Sequence, residues 1–285
     1  MKILGKILKW GGFALVVLII GYVLSMSSIF HTPPVTSIVR LAPAPGASKA
    51  VLVAGATSSS GVELVKVLRE RGYEVFAMVR ASSNTAQIDS LGLGKVMADA
   101  MQPDEVTAAL ASRHFDAVIS LLGTSSRDLP ARTNPIMGLL AGPTPMDPNK
   151  RPDFIGNRNV IDAAKAAGVS RFVLVTVIGA GNSGEAVPPG ARRGHSTVIP
   201  LKTQAEDHLR ASGLEWTIIR PGGLGKQPPD TTAVLVDDPE AFSFMSRSDL
   251  GRLTADALGD ASTIGKTYTA YDPERRMLWK LFTAK

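Results

Sequence analysis

The chain has 285 residues, 45% of them hydrophobic, with 31 lysines and arginines, 25 acids and no cysteine. That length and apolar content allow one sizeable core, and the lack of cysteine excludes disulfides, a thiolate nucleophile and cysteine-based metal sites. The formal charge of +6 does not call for a nucleic acid: Lys2, Lys6, Lys9, Arg40 and Lys49 lie in an acid-free first fifty residues, so 26 bases face 25 acids in the remainder, a surplus of one.

From Trp10 to Phe30 no side chain is charged, a stretch about long enough to cross a bilayer as a helix after three lysines. A cleaved signal peptide is the competing reading. The run is long for one, and Ala42-Pro43-Ala44 is distant and interrupted by proline, so an uncleaved anchor over 1–30 is favoured. Residues 31–48, with Pro33, Pro34, Pro43, Pro45 and Gly46, then read as a stiff tether, and 49–285 as the folded domain with a small C-terminal substrate region. Localisation is therefore expected to be a single-pass membrane protein. The lysines would hold the N-terminus in the cytoplasm and the domain outside it, whereas the nucleotide-binding turn that follows in the chain would find its cofactor supply in the cytoplasm, so the side stays open.

Val51, Leu52 and Val53 read as a strand buried on both faces, running into Gly55-Ala56-Thr57-Ser58-Ser59-Ser60-Gly61, a turn whose amides can approach a pyrophosphate at a helix N-terminus. Val62, Leu64, Val65 and Leu68 recur at helical spacing, and Arg71-Gly72 closes that helix. Val75, Phe76, Met78 and Val79 make the next strand. Arg80 at its end suits the 2′-phosphate of NADP where an acid would suit NAD, so NADP(H) is favoured over NAD(H); the plainer reading of Arg80 is a solvated strand-end cation.

Lys95-Val96-Met97 reads as a third strand, with Asp99 beyond it placed to hydrogen-bond near an adenine, and Pro103–Leu110 as a helix. Asp116 to Gly123 is a fourth strand whose last residues, Leu122 and Gly123, let a cofactor lie across the sheet edge. Residues 124–152, polar and rich in proline and glycine, are either a substrate loop or a surface insertion. A helix over Asn157–Ala167 with Val160, Ile161, Ala164 and Ala167 inward, a strand Phe172–Val177, a helix Lys202–Ser212 and a strand Trp216–Arg220 complete an alternation that implies a parallel sheet with helices on both faces. The histidines His31, His114 and His208 show no metal spacing, so no metal site is expected.

The turn Gly55–Gly61, Arg80, the Asp116 strand, Gly156-Asn157 through Asn159 with the run Ala163–Thr176, Lys202 with Glu206, Ser212–Leu224 and Ser248-Asp249-Leu250 together resemble the atypical short-chain dehydrogenase/reductase superfamily, in particular its NmrA-like, NAD(P)H-binding members, over about residues 50–273. The resemblance implies an α/β fold, a Rossmann-like doubly wound parallel sheet, here preceded by one N-terminal transmembrane helix. It places Gly55, Thr57 and Gly61 at the pyrophosphate, Arg80 at the adenosine phosphate, and Pro221 with Gly222 beside the nicotinamide.

Two departures matter. Ser58 stands where the family turn commonly has a glycine, so its Cβ can narrow the approach of the pyrophosphate while its hydroxyl can donate to it. Val198 stands four residues before Lys202, where typical members carry the catalytic tyrosine, which removes the usual proton donor. Thr176, in the position of a catalytic serine, and His195 are the candidate substitutes, with Lys202 holding the nicotinamide ribose; His195 also reads as a solvated loop residue, and Lys202 as a surface cation pairing Glu206. Two functions follow from the resemblance: a membrane-anchored reductase of an unknown small molecule, and a non-catalytic NADP-sensing regulator or assembly factor with a protein partner.

Overall fold

The structure, a computed structural model, describes residues 12–21, 37–42, 45, 48–124, 147, 151–187, 197–225, 229 and 232–275. Eleven strands occur among them: β1 (Ile38–Val39), β2 (Ala50–Ala54), β3 (Glu74–Val79), β4 (Gly94–Met97), β5 (Ala117–Ser120), β6 (Arg171–Val175), β7 (Glu215–Pro221), β8 (Gly223–Gly225), β9 (Val234–Val236), β10 (Phe244–Ser246) and β11 (Lys266–Tyr271). The helices are α1 (12–21), α2 (Ser59–Glu70), α3 (Ala86–Ser90), α4 (Pro103–Ala111), α5 (Asn157–Ala166), α6 (Val198–Ala211) and α7 (Arg247–Gly259).

Nine strands form one sheet in the order β1-β9-β11-β7-β6-β5-β2-β3-β4. The seven from β4 to β11 pair in parallel, and β9 and β1 add antiparallel at the edge. The chain therefore reverses direction across the sheet between β2 and β5, the switch point at which open α/β sheets bind ligands beyond their strand ends.

Alternation within β2 explains the two layers of core. Val51 and Val53 face a cluster with Val62, Leu64, Val65 and Leu68 of α2 and Leu250 and Leu253 of α7. Leu52 and Ala54 face the other, with Val106 and Leu110 of α4, Val160, Ile161 and Ala164 of α5, and Ala205 and Leu209 of α6. Each of these larger aliphatic side chains contributes roughly 1.5–3 kcal/mol when fully buried. Ala167, expected inward, is exposed because α5 ends at Ala166 and Ala167 is its C-cap.

Two expectations change at the N-terminus. Among the described residues no helix is long and apolar enough to cross a membrane. α1 covers ten residues, about 15 Å of helix against a hydrocarbon core of about 30 Å, and the rest of Trp10–Phe30 lies outside the described residues. The transmembrane helix is thus unsupported. Ile38 and Val39, expected in the tether, pair with Val236 and Leu235 instead, and Val39 and Leu41 pack on the core: the β9 edge offers free backbone groups, and two apolar residues gain burial there.

α2 and α7 lie in close contact. An added Cβ on Gly251 would stand 2.9 Å from the Leu64 nitrogen and 3.0 Å from the Glu63 carbonyl carbon. Ser248 donates to Glu63 (2.7 Å), and Arg71, the C-cap of α2, pairs with Asp256 at 2.7 Å. Gly251→Ala is therefore expected to cost about 1–3 kcal/mol, because two backbones must separate. Thermal unfolding should show a fall of several degrees; a midpoint within about one degree of wild type would contradict this packing.

Candidate dinucleotide site

β2 delivers the chain to Gly55, whose φ of +88° favours glycine, and an added Cβ there would stand 3.0 Å from the Leu121 carbonyl oxygen. Gly61 is more constrained, since a Cβ would overlap the Gly55 carbonyl. The two glycines thus let the turn fold on itself and let α2 begin directly above the sheet.

Ser58 is the N-cap of α2: its hydroxyl oxygen accepts from the Gly61 amide at 3.0 Å. The residue that departs from the family turn therefore replaces backbone freedom with a helix cap, worth about 1 kcal/mol, and uses the Gly61 amide in doing so. The Ser59 and Ser60 amides have no protein partner among the described residues. They point along the positive end of the helix dipole, where an anionic group is stabilised. Ser58 and Ser59 are exposed, and Thr57 and Ser60 half-buried, so the turn is open to a ligand.

Arg80 follows β3 and is exposed, and its guanidinium makes no hydrogen bond or ion pair among the described residues; its backbone is engaged, the amide donating to the Ser83 hydroxyl and the carbonyl accepting from the Ser83 amide. Asp99 follows β4, where its carboxylate accepts from the Met101 amide at 2.9 Å and so shapes the turn into α4. Leu122 and Gly123 follow β5 beside the Gly55 turn. These residues all lie beyond the carboxyl ends of adjacent strands. Pro221 closes β7, with its carbonyl accepting from Ile178, and a Cβ on Gly222 would overlap the Ser243 carbonyl, so β8 and β10 also need this glycine.

The face of α6 carries two charged side chains into the protein. Lys202 is 5% exposed: its ammonium donates to the Leu122 carbonyl and lies 3.6 Å from Asp153. Burial pushes its pKa down, opposed by Asp153. Glu206, one turn on, is fully buried and pairs not with Lys202 but with Arg220 (2.6 Å) and Arg210 (3.0 Å). It also accepts the Thr176 hydroxyl at 2.8 Å. Thr176 is therefore in place, but its proton is directed at Glu206 rather than at a substrate oxygen. His195 lies outside the described residues, as does most of the 124–152 loop.

Sequence reasoning missed Asp153, Arg151 and the Glu206–Arg220 pair. A signal existed for α6: Leu201, Ala205 and Leu209 form its apolar stripe, and Lys202 and Glu206 directly follow the first two of them. A cavity of about 250 Å³ lined by Lys49, Tyr73, Arg171 and Glu215 lies at the opposite, amino ends of the strands, away from the switch point.

This geometry is matched by relationship. A profile of NAD(P)H-binding proteins matches residues 55–261, and the chain belongs to this NAD(P)H-binding family. It is 29% identical over 223 residues to the uncharacterized sugar epimerase YhfK of Bacillus subtilis, covering 76% of this chain and 92% of that one. To sanguinarine reductase of Eschscholzia californica it is 29% identical over 236 residues, covering 73% and 83%. Among solved structures, the anaerobilin reductase ChuY of Escherichia coli O157:H7 superposes with a TM-score of 0.65 at 24% identity, over 79% of this chain and 98% of that one, a likeness of fold.

Removing Glu206 would leave Arg220 buried without its carboxylate. Glu206→Ala is expected to lose about 3–5 kcal/mol in urea unfolding, with part restored by adding Arg220→Met. A loss below about 1 kcal/mol would show that the pair is not desolvated as described.

Proposed function

We propose that this protein is an NADPH-dependent reductase that works without a tyrosine. The observation that carries the reading is the Gly55–Gly61 turn at the switch point, with two uncommitted amides at the start of α2. The pyrophosphate lies on those amides, the adenosine 2′-phosphate meets Arg80, and the ribose and nicotinamide cross Leu122, Gly123, Lys202, Pro221 and Gly222. When bound, the cofactor supplies the hydride, and the protein binds, orients and excludes water. Val198 has no ionisable group, and Thr176 directs its proton to Glu206. The reading therefore favours substrates whose reduction needs no strong protein acid, such as quinones or flavins.

A second reading is a non-catalytic NADP-binding regulator. It is supported by the same pair of facts, Val198 and the engaged Thr176 hydroxyl. Incubating the chain from Ser48 onward with NADPH and a panel of quinones and flavins separates the two: loss of reduced cofactor absorbance supports the reductase, and tight NADPH binding with no turnover supports the regulator.

The preference for NADPH rests on Arg80. A charge-assisted contact is worth roughly 1.5–3 kcal/mol, so Arg80→Ala should weaken NADPH binding about ten- to a hundredfold and leave NADH little changed. Equal losses for both cofactors in a calorimetric titration would remove Arg80 from the site.

We also propose that the N-terminal apolar stretch holds the protein at a membrane. In α1 the side chains of Phe13 and Leu15 to Ile20 are 50–70% exposed, too much apolar surface to leave in water. Full-length protein should sediment with vesicles and resist carbonate extraction. A mature chain starting after residue 26 by intact mass would show a cleaved signal instead.

A further inference from the structure

Asp153 joins several parts of the site. It is 1% exposed, and its Oδ2 accepts from the Thr124 amide (3.1 Å), the Thr124 hydroxyl (2.5 Å) and Arg151 Nε (3.2 Å). Its Oδ1 faces the Lys202 ammonium at 3.6 Å and would stand 3.2 Å from a Cβ on Gly123. The carboxylate thus joins the end of the β5 crossing to residues 27 to 29 positions later in the chain. It also meets, from below, the lysine that caps the Leu122 carbonyl. A lysine stem has four rotatable bonds; the Leu122 carbonyl holds its ammonium from one side, and Asp153 is the anion that holds it from the other.

We propose that Asp153 is a positioning residue for the dinucleotide: it fixes the Lys202 ammonium at the Leu122–Gly123 edge, and it acts on the cofactor only through that lysine. The inference rests on the cofactor placement given under Proposed function. Its electrostatic side follows from burial. Lys202 is pushed toward its neutral form by desolvation, and Asp153 is the nearest group opposing this; Glu206, one turn along α6, also favours the charged lysine, and Arg151 disfavours it. Asparagine at 153 keeps an acceptor for Thr124 but removes the charge, so Lys202 should then lose its proton at a lower pH.

The test is NADPH titration from pH 6 to pH 9 on the full chain. Wild type is expected to bind with a nearly flat profile. Asp153→Asn should bind within about threefold of wild type at pH 6 and weaken about tenfold or more by pH 9, the loss following one proton. Lys202→Met should weaken binding equally at every pH, and adding Asp153→Asn to it should cost nothing further. Asp153→Glu, which keeps the charge, should keep the flat profile. Uniform weakening in Asp153→Asn, or an added loss in the double variant, would overturn the proposal by showing a merely structural role. If wild type binds no NADPH, the cofactor reading fails by itself. The hold on Lys202 is then read from urea unfolding of the two single variants and the double, where additive shifts would overturn it. The same unfolding cycle decides the case if Asp153→Asn folds too poorly to titrate.

Discussion

Everything at the site depends on how closely three pieces of backbone can meet at the centre of the sheet. Gly55 turns the chain off β2 with a positive φ, the Leu121 carbonyl oxygen stands only 3.0 Å from where its Cβ would be, and Gly61 starts α2 against the Gly55 carbonyl. Side chains at either glycine would push α2 away from β2 and β5. The amides at its N-terminus would then no longer stand over the switch point, where the helix dipole and the open strand ends coincide. β2, five apolar residues buried on both faces, delivers the chain to this crossing.

Around that crossing the protein places charge where water is scarce. α6 turns Lys202 toward the end of β5 and Glu206 toward the ends of β6 and β7, and each is matched by a partner from another element: Asp153 for the lysine, Arg220 for the glutamate. Buried pairs of this kind contribute little net stability compared with apolar contacts, yet leaving either partner alone is costly. Their effect is therefore to specify geometry. Arg220 reaches on to Asn182 at 2.6 Å, and Thr203 accepts from the Gly181 amide at 2.9 Å, so the segment after β6 is held over the same strand ends.

Much of the fold was legible because its signals are local. Apolar runs at β2, β5, β6 and β7 and helical spacing in α2, α4 and α5 fall close to their observed places, and the glycines at 55 and 72 mark turns that the backbone does adopt with positive φ. Arg80 and the Gly55 turn stand at neighbouring strand ends, a juxtaposition that the alternation of strands and helices implies once the sheet is parallel. What escaped was long-range pairing. Lys202 and Glu206 sit four apart on a helix and read as partners on a surface; burial separates them because each meets a charge from a different element, Asp153 for the lysine and Arg220 for the glutamate. Asp153 lies at the end of a polar, proline-rich stretch, and nothing in its local sequence says that Thr124 and Lys202 converge on it. Ser58 looked like an obstruction in the turn and is a helix cap. The edge strand at Ile38 escaped because two residues carry no periodicity.

The first turn of α2 is placed to hold a pyrophosphate at the β2–β5 switch point. A crystal structure of the protein grown with NADPH tests it most directly. The pyrophosphate oxygens are expected within hydrogen-bond distance of the Ser59 and Ser60 amides, with the adenosine phosphate beside Arg80. A dinucleotide bound at the amino ends of the strands, near Arg171 and Tyr73, or one at the switch point without contact to those amides, would contradict it.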